Sequence, residues 1–114
     1  MSACIFCSIA NHELESEILY QDDRCVAFRD IDPKAPVHIL VIPTRHIEGL
    51  DAVSARDVNL LGHLCATAAR LARDEGIAAS GYRLVINCGP HGGQAVGHLH
   101  VHLLGGRQMS WPPG

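Results

Sequence analysis

His98-Leu99-His100-Val101-His102-Leu103-Leu104 alternates histidine and apolar residues with a period of two. Extended backbone turns successive side chains to opposite faces, so the spacing predicts a strand over residues 98–104. Leu99, Val101 and Leu103 would enter a core, and His98, His100 and His102 would line the other face. Spacing alone leaves three readings of those rings open. The first is a polar face that uses histidine by chance. The second is a metal site, and reach limits it: residues i and i+4 of a strand lie ~13 Å apart at Cα, whereas metal–nitrogen bonds are ~2.0–2.1 Å. The outer two rings cannot meet on one ion without a bend, although two of the three can. The third is nucleophilic or acid–base chemistry. A neutral imidazole attacks phosphorus and has a pKa of ~6.5, and flanking rings can donate to phosphate oxygens.

Ahead of this stretch lies Asn87-Cys88-Gly89-Pro90-His91-Gly92-Gly93-Gln94. Its glycines would let backbone N–H groups approach an anion. It is not a Walker loop, because no Lys-Ser/Thr follows and it leads into a strand. A glycine-rich turn is weak evidence alone; beside three histidines it points to a phosphate-sized anion over the strand.

The remaining elements place these motifs. Residues 5–11 suit a short helical turn. Glu17 to Gln21 and Cys25 to Arg29 read as strands around the turn Asp22-Asp23-Arg24. Asp30 to Pro36 is a loop with two prolines, and His38 to Ile42 is a buried strand ended by Pro43. Ser54 and Asp57 form a capping box. Leu61, Leu64, Cys65, Ala68, Leu71 and Ala72 then recur at helical spacing, so residues 55–75 are one amphipathic helix closed by Gly76. Tyr82 to Asn87 is a strand, residues 89–97 are a loop, and Gly105-Gly106 ends the last strand. Antiparallel strands with one long helix define an α+β fold class.

The chain has 114 residues, enough for one domain and one core. Apolar residues are 47% and charged residues 18%, which excludes a disordered chain. Acidic residues outnumber basic ones 12 to 9, which argues against nucleic acid as a partner. No apolar run approaches the ~18 residues that span a membrane, and the start has no export signal. The expected location is therefore cytoplasmic, where the five cysteines stay reduced. Cys25, Cys65 and Cys88 read as small buried residues. Cys4 and Cys7 form C-x-x-C, with a redox pair, a zinc half-site and chance all open; no thioredoxin-like pattern follows.

Residues 98–104 match the pattern His-φ-His-φ-His-φ-φ, with φ apolar, and in this the chain resembles the histidine-triad family. Asp30 to Pro43 resembles that family's entry into its central sheet. The tail Gly105-Gly106-Arg107-Gln108-Met109-Ser110-Trp111-Pro112-Pro113-Gly114 is similar to that of the Hint branch, the purine nucleoside phosphoramidases. The resemblance implies one domain over residues 1–114, with a five-stranded antiparallel sheet, one long and one short helix, and a sheet continued across a homodimer. It implies hydrolysis of P–N bonds in purine nucleoside 5′-phosphoramidates, such as an adenosine phosphoramidate or AMP-lysine, through a nucleotidyl-histidine and without a catalytic cofactor. Two alternatives stay open: a nucleotide-binding partner protein with vestigial catalysis, and a dinucleoside polyphosphate hydrolase or nucleotidyl transferase of the same superfamily.

By the same resemblance His100 is the nucleophile, and His102, His98 and His38 complete the catalytic histidines. Asn87, Gly93 and Gln94 cradle phosphate, and Asp30 accepts the ribose hydroxyls. Phe6, Ile9, Phe28 and Ile31 form an apolar slot for a purine. The residues' own spacing equally fits core roles for Phe28 and Ile31 and a turn role for Asp30. Ala95 stands where Hint members often carry a serine that helps the leaving amine depart, so that hydroxyl is absent. Cys4, Cys7, His46 and His98 match positions that hold a structural Zn2+ in some relatives, which spends one triad ring on the metal. Trp111 and residues 105–114 would lie at the dimer interface, on the leaving-group side of the partner's site.

Overall fold

Alternation along the strands builds a five-stranded antiparallel sheet in the order β1-β2-β3-β5-β4. In this computed structural model, which describes residues 3–114, the strands are β1 (Ile18–Gln21), β2 (Cys25–Arg29), β3 (Val37–Pro43), β4 (Tyr82–Val85) and β5 (Val101–Gly105). The helices are α1 (Ile5–Ala10), α2 (Val58–Asp74) and a single turn, α3 (Gly89–Gly92).

The period of two divides the sheet into two faces. Cys25, Ala27, Ile39, Val41, Leu99, Val101 and Leu103 pack against Leu64, Ala68, Leu71 and Ala72 of α2. Val26, Phe28, Leu40 and Ile42 pack on the opposite face against Phe6, Ile9 and Ala10 of α1. Register fixes the row that matters: His38 pairs with Leu104, and Leu40 with His102. His38 and His102 therefore stand on the α1 face, beside the small cluster rather than the large one.

The structure departs from the sequence reading at element ends, each time for a local reason. The predicted helix over residues 55–75 begins as a tighter 3-10 turn, Ala55–Asp57, and becomes α-helical at Val58. The capping box is present, with Asp57 Oδ2 accepting from the Ser54 backbone N–H at 3.0 Å and from its hydroxyl at 3.2 Å. The strand expected to Asn87 stops at Val85. The loop over residues 89–97 contains α3, where Pro90 presets the first turn and Gly93, at φ +78°, closes it.

The last strand begins at Val101 rather than at His98. Ahead of it the backbone bonds elsewhere: His98 N–H donates to Val96 O at 2.9 Å and Leu99 N–H to Ile47 O at 2.7 Å. Cys25 is buried as expected, but Cys65 is half-buried and Cys88 is exposed.

Candidate functional site

The end of β3, the approach to β5 and α1 bring two groups of side chains together. In the first, His38, His100 and His102 form a row, with ring centroids 5.2 Å apart for His38–His102 and 4.9 Å for His100–His102. Backbone groups decide where each ring proton sits. A carbonyl can only accept, so His100 Nδ1, 2.6 Å from His98 O, carries the proton and donates it. That leaves a lone pair on His100 Nε2. The Lys34 backbone N–H donates to His38 Nδ1 at 3.0 Å, so the His38 proton is on Nε2. It is donated to His102 Nδ1 at 2.9 Å, and His102 in turn keeps its proton on Nε2. Asp30 Oδ2 lies 3.5 Å from His38 Nε2. The row thus offers one bare nitrogen, on His100, beside one N–H donor, on His102.

Burial disfavours the charged forms of His38 and His102. It pushes His38 below its ordinary value, with Asp30 opposing. Burial, then the neighbouring His100 and His38 rings, push His102 down to about 4. An uncharged ring with both nitrogens hydrogen-bonded is far cheaper to bury than an imidazolium.

The second group is Cys4, Cys7, His46 and His98, whose ligand atoms all lie within 4.8 Å of one another. His98 is fully buried, and its Nε2 donates to Pro43 O at 2.9 Å, which turns the Nδ1 lone pair toward the cysteines. His46 Nε2 meets Glu48 Oε1 at 3.2 Å, so its Nδ1 faces the same point. Nδ1 of His46 and Nδ1 of His98 are 3.2 Å apart. Cys4 Sγ and Cys7 Sγ lie 3.3 and 3.5 Å from His98 Nδ1, and Cys7 Sγ lies 3.3 Å from His46 Nδ1. Tetrahedral zinc with ordinary bond lengths requires about 3.4 Å between nitrogens and about 3.5 Å between sulfur and nitrogen. The residues present fit a zinc ion. Burial resists ionisation of Cys4, but hydrogen bonds from the Cys7 and Phe6 backbone and from the Cys7 and His46 side chains hold its thiol below the usual value. Burial keeps His98 neutral, as a ligand must be.

Beside the row opens an apolar hollow of about 490 Å³, lined by Ile5, Phe6, Ile9, Phe28, Leu40 and Val96, with Asp30 and Ile31 also on its wall. Phe6 joins the hollow to the histidines: its ring meets Phe28 edge-on at 5.5 Å and His100 at 5.1 Å. Phe6, Ile9 and Phe28 are core residues and slot walls at once. Ile31 is 94% exposed, so a core role is ruled out and it forms the rim. Asp30 Oδ1 accepts the Asp32 backbone N–H at 2.8 Å, a turn role that leaves its other oxygen toward His38.

Several expected roles are corrected. Both side-chain nitrogens of His98 are committed, to the cysteine cluster and to Pro43, so it meets the row of histidines through its carbonyl. The Gly93 N–H donates to Pro90 O at 3.1 Å rather than facing an anion. Gln94 is a loop staple: its Nε2 donates to Glu48 O at 2.8 Å and Val96 O at 3.0 Å, and its Oε1 accepts from Gly89 N–H at 3.1 Å. Ala95 lines the hollow that holds Cys4, Cys7 and His46. Asn87 is half-buried after β4, next to α3. Trp111 is 81% exposed, its ring 6.0 Å from the Arg83 guanidinium. Sequence reasoning missed Glu48, Pro43 and Lys34. Glu48 had a signal, two residues from His46; the other two act through backbone atoms, which sequence does not distinguish.

Comparison with known proteins agrees with this geometry. The HIT domain matches residues 11–109. Adenylylsulfatase HINT1 of Arabidopsis thaliana is 50% identical over 115 residues, covering 99% of this chain and 78% of that protein. The 14 kDa zinc-binding protein of Brassica juncea is 50% identical over 112 residues, covering 96% of this chain and 98% of that protein. The crystal structure of a HIT family hydrolase from Legionella pneumophila superposes with a TM-score of 0.95 at 49% identity, covering 97% of this chain and 99% of the other.

The depressed pKa of His102 has a consequence for stability. The unfolded chain binds a proton at His102 near pH ~6.5, the native state only near 4. Protons therefore favour unfolding between those values: stability is full above ~6.5, falls as pH drops toward 4, and is level below it. The span is worth about 3 kcal/mol at most. Urea unfolding of wild type and His102→Gln at pH 7, 5.5 and 4 should show a shallower decline in the variant. Parallel declines would refute the lowered pKa of the half-buried His102.

Proposed function

The chain belongs to the HIT domain family, and from that premise we propose that it is a nucleotide-binding hydrolase acting on purine nucleoside 5′-phosphoramidates. The observation that carries the reading is the pair of nitrogens described above: His100 Nε2 unprotonated, because Nδ1 donates to His98 O, and His102 Nε2 protonated beside it. The base enters the apolar hollow against Phe6 and Phe28, and Asp30 accepts from the ribose hydroxyls. His100 Nε2 attacks phosphorus. The P–N bond breaks, its electron pair leaves with the amine, which takes a proton from solvent water, and a nucleotidyl-histidine forms; the proton is returned to solvent when the second water is consumed. His102 donates to a phosphoryl oxygen as charge develops there. Water then attacks phosphorus from the vacated side, the P–N bond to His100 breaks, and the nucleoside monophosphate is released with the imidazole restored.

Ala95 favours a second reading of the leaving group. With no hydroxyl at that position, a leaving group that departs as a weak base without taking a proton is suited to the site. The Arabidopsis relative is named for adenylyl sulfate, whose sulfate is such a group. The two substrates separate the readings by their relative kcat/KM. Wild type should hydrolyse adenosine phosphoramidate, with His100→Ala reduced by at least about 10³-fold. Equal inactivity of both proteins with AMP still bound would replace the enzyme reading by that of a nucleotide-binding partner protein.

The same reading gives Cys4, Cys7, His46 and His98 a structural Zn2+. The Brassica relative is named as zinc-binding, and the donor spacing here suits the ion. Bound there, zinc would tie α1 to the segment ahead of β5 and add to folding free energy. Purified protein should hold about one zinc per chain by atomic absorption. Cys4→Ser should lower both zinc content and thermal stability. Metal-free protein of undiminished stability would overturn the assignment.

Among the described residues no disulfide joins the five cysteines, which suits a reducing compartment such as the cytoplasm. Among the described residues no helix is long and apolar enough to cross a membrane. We further propose a homodimer. β4 is an edge strand with exposed Tyr82, able to continue the sheet into a second copy, and Trp111 is a large exposed apolar side chain in the tail. The tail then lies against the partner's active site. Sedimentation at micromolar concentration should give a dimer, and deleting residues 107–114 should alter preference among amine leaving groups more than affinity for AMP. A monomer, or an unaltered substrate profile, would defeat this reading.

A further inference from the structure

The chain leaving β5 makes an unusual approach to the loop in front of β3. Gly105 packs directly on Ile77, where a Cβ would have no room. Gly106 has φ +87°, and a Cβ there would lie 2.9 Å from Pro36 Cβ. Two glycines in succession thus let the backbone turn down onto residues 33–36. The turn delivers Arg107, whose Nε donates to the Lys34 carbonyl at 3.1 Å and whose Nη1 donates to Gln108 O at 3.2 Å. No carboxylate pairs with Arg107 among the described residues; its partners are carbonyls. Lys34 is held from its own side as well, with Nζ donating to Asp32 O at 2.9 Å and to Asp32 Oδ2 at 2.6 Å. The Lys34 backbone N–H is the group that enters the buried His38 ring.

That one amide decides the polarity of a chain of hydrogen bonds. While it faces His38 Nδ1, the His38 proton stays on Nε2, and His102 accepts at Nδ1 and donates at Nε2. If it turns away, the His38 proton is free to move to Nδ1. His38 Nε2 then becomes an acceptor, and His102 keeps the contact only by moving its own proton to Nδ1. His102 Nε2 would then present a lone pair to the phosphoryl oxygens, which repels them where a donor attracts.

We propose that Arg107 is a positioning residue that anchors Lys34 at its carbonyl, one Cα from the N–H that meets His38, and so, through His38, holds His102 as an Nε2–H donor. The proposal rests on the reading of His102 as the phosphoryl donor given above. It concerns a side chain outside the catalytic row, joined to it by the 3.1, 3.0 and 2.9 Å hydrogen bonds already described.

The test reads the rings directly. The full chain, with ¹⁵N-labelled histidine, is compared as wild type, Arg107→Ala and Arg107→Lys by long-range ¹H–¹⁵N spectra without substrate. In wild type, His38 and His102 should each show a protonated Nε2 and a bare Nδ1. In Arg107→Ala both pairs should move toward tautomer-averaged shifts, and kcat for adenosine phosphoramidate should fall roughly 3- to 10-fold with KM unchanged. Arg107→Lys should recover most of both readouts, because an ammonium can donate to the same carbonyl. Arg107 is exposed, so loss of its side chain leaves the core untouched. Wild-type ring signals in Arg107→Ala would overturn the proposal whatever the activity, and so would a loss in KM alone. Wild type without turnover sinks the phosphoramidase reading; the ring spectra still judge the clamp.

Discussion

The carbonyl of His98 accepts the Nδ1 proton of His100 at 2.6 Å, and both halves of the site depend on that bond. Because the carbonyl is committed to its neighbour's ring, the His98 backbone is not part of a regular ladder, and the strand begins only at Val101. The short irregular stretch does two things that a continuous strand could not. It frees a carbonyl to fix the tautomer of the nucleophile candidate, and it lets the His98 ring swing toward Cys4 and Cys7 instead of lining up with His100 and His102. One residue thereby supplies a ligand atom to one cluster and an orienting acceptor to the other.

What makes this arrangement rigid is the asymmetry of the sheet. The α2 face carries the larger core, and each aliphatic side chain buried there contributes roughly 1.5–3 kcal/mol. That surplus allows the opposite face to bury polar rings. His38, His98 and His100 are almost without solvent contact, which is tolerable only while their nitrogens find partners. The packing that seats His38, His98 and His102 also disfavours their charged forms, and the groups that meet the ring nitrogens choose the tautomers.

Much of this was legible in the sequence, because it rests on period-two alternation. Leu99, Val101 and Leu103 did enter the core, each of the five strands falls on an apolar run although β4 and β5 are shorter than expected, and C-x-x-C with His46 and His98 did converge. The reach argument held that one strand cannot bring all three rings to one ion; that His98 is the ring that parts from the others came from the family resemblance. Features set by backbone conformation were not legible. The single turn of α3 is too short to leave a periodic trace, and its Gly-Pro-His-Gly sequence reads equally as a loop. The Gly93 amide and the Gln94 side chain turned out to be spent inside that loop, since glycine and glutamine signal capacity for hydrogen bonding and not its direction.

Donor chemistry explains why proximity alone does not make a metal site in this fold. Among the described residues, three groups of side chains bring ligand atoms within 4.8 Å of one another. In Asp22, Cys25 and His63 the carboxylate is saturated. Its Oδ2 receives Tyr20 Oη–H at 2.7 Å and His63 Nε2–H at 2.6 Å, and its Oδ1 receives two backbone N–H groups at 2.8 Å. Burial also pushes the Cys25 thiol up to about 11, away from thiolate. In Asp30, His38 and His102 a cation on His38 Nε2 would drive the ring proton to Nδ1, against the Lys34 N–H only 3.0 Å away, so two donors would face each other. Only in Cys4, Cys7, His46 and His98 do the outer groups, Pro43 O and Glu48 Oε1, take the far ring protons and leave both inner nitrogens bare. The same backbone logic that leaves His100 Nε2 bare turns a bare His98 Nδ1 toward Cys4 and Cys7, and it disfavours a cation at His38 Nε2.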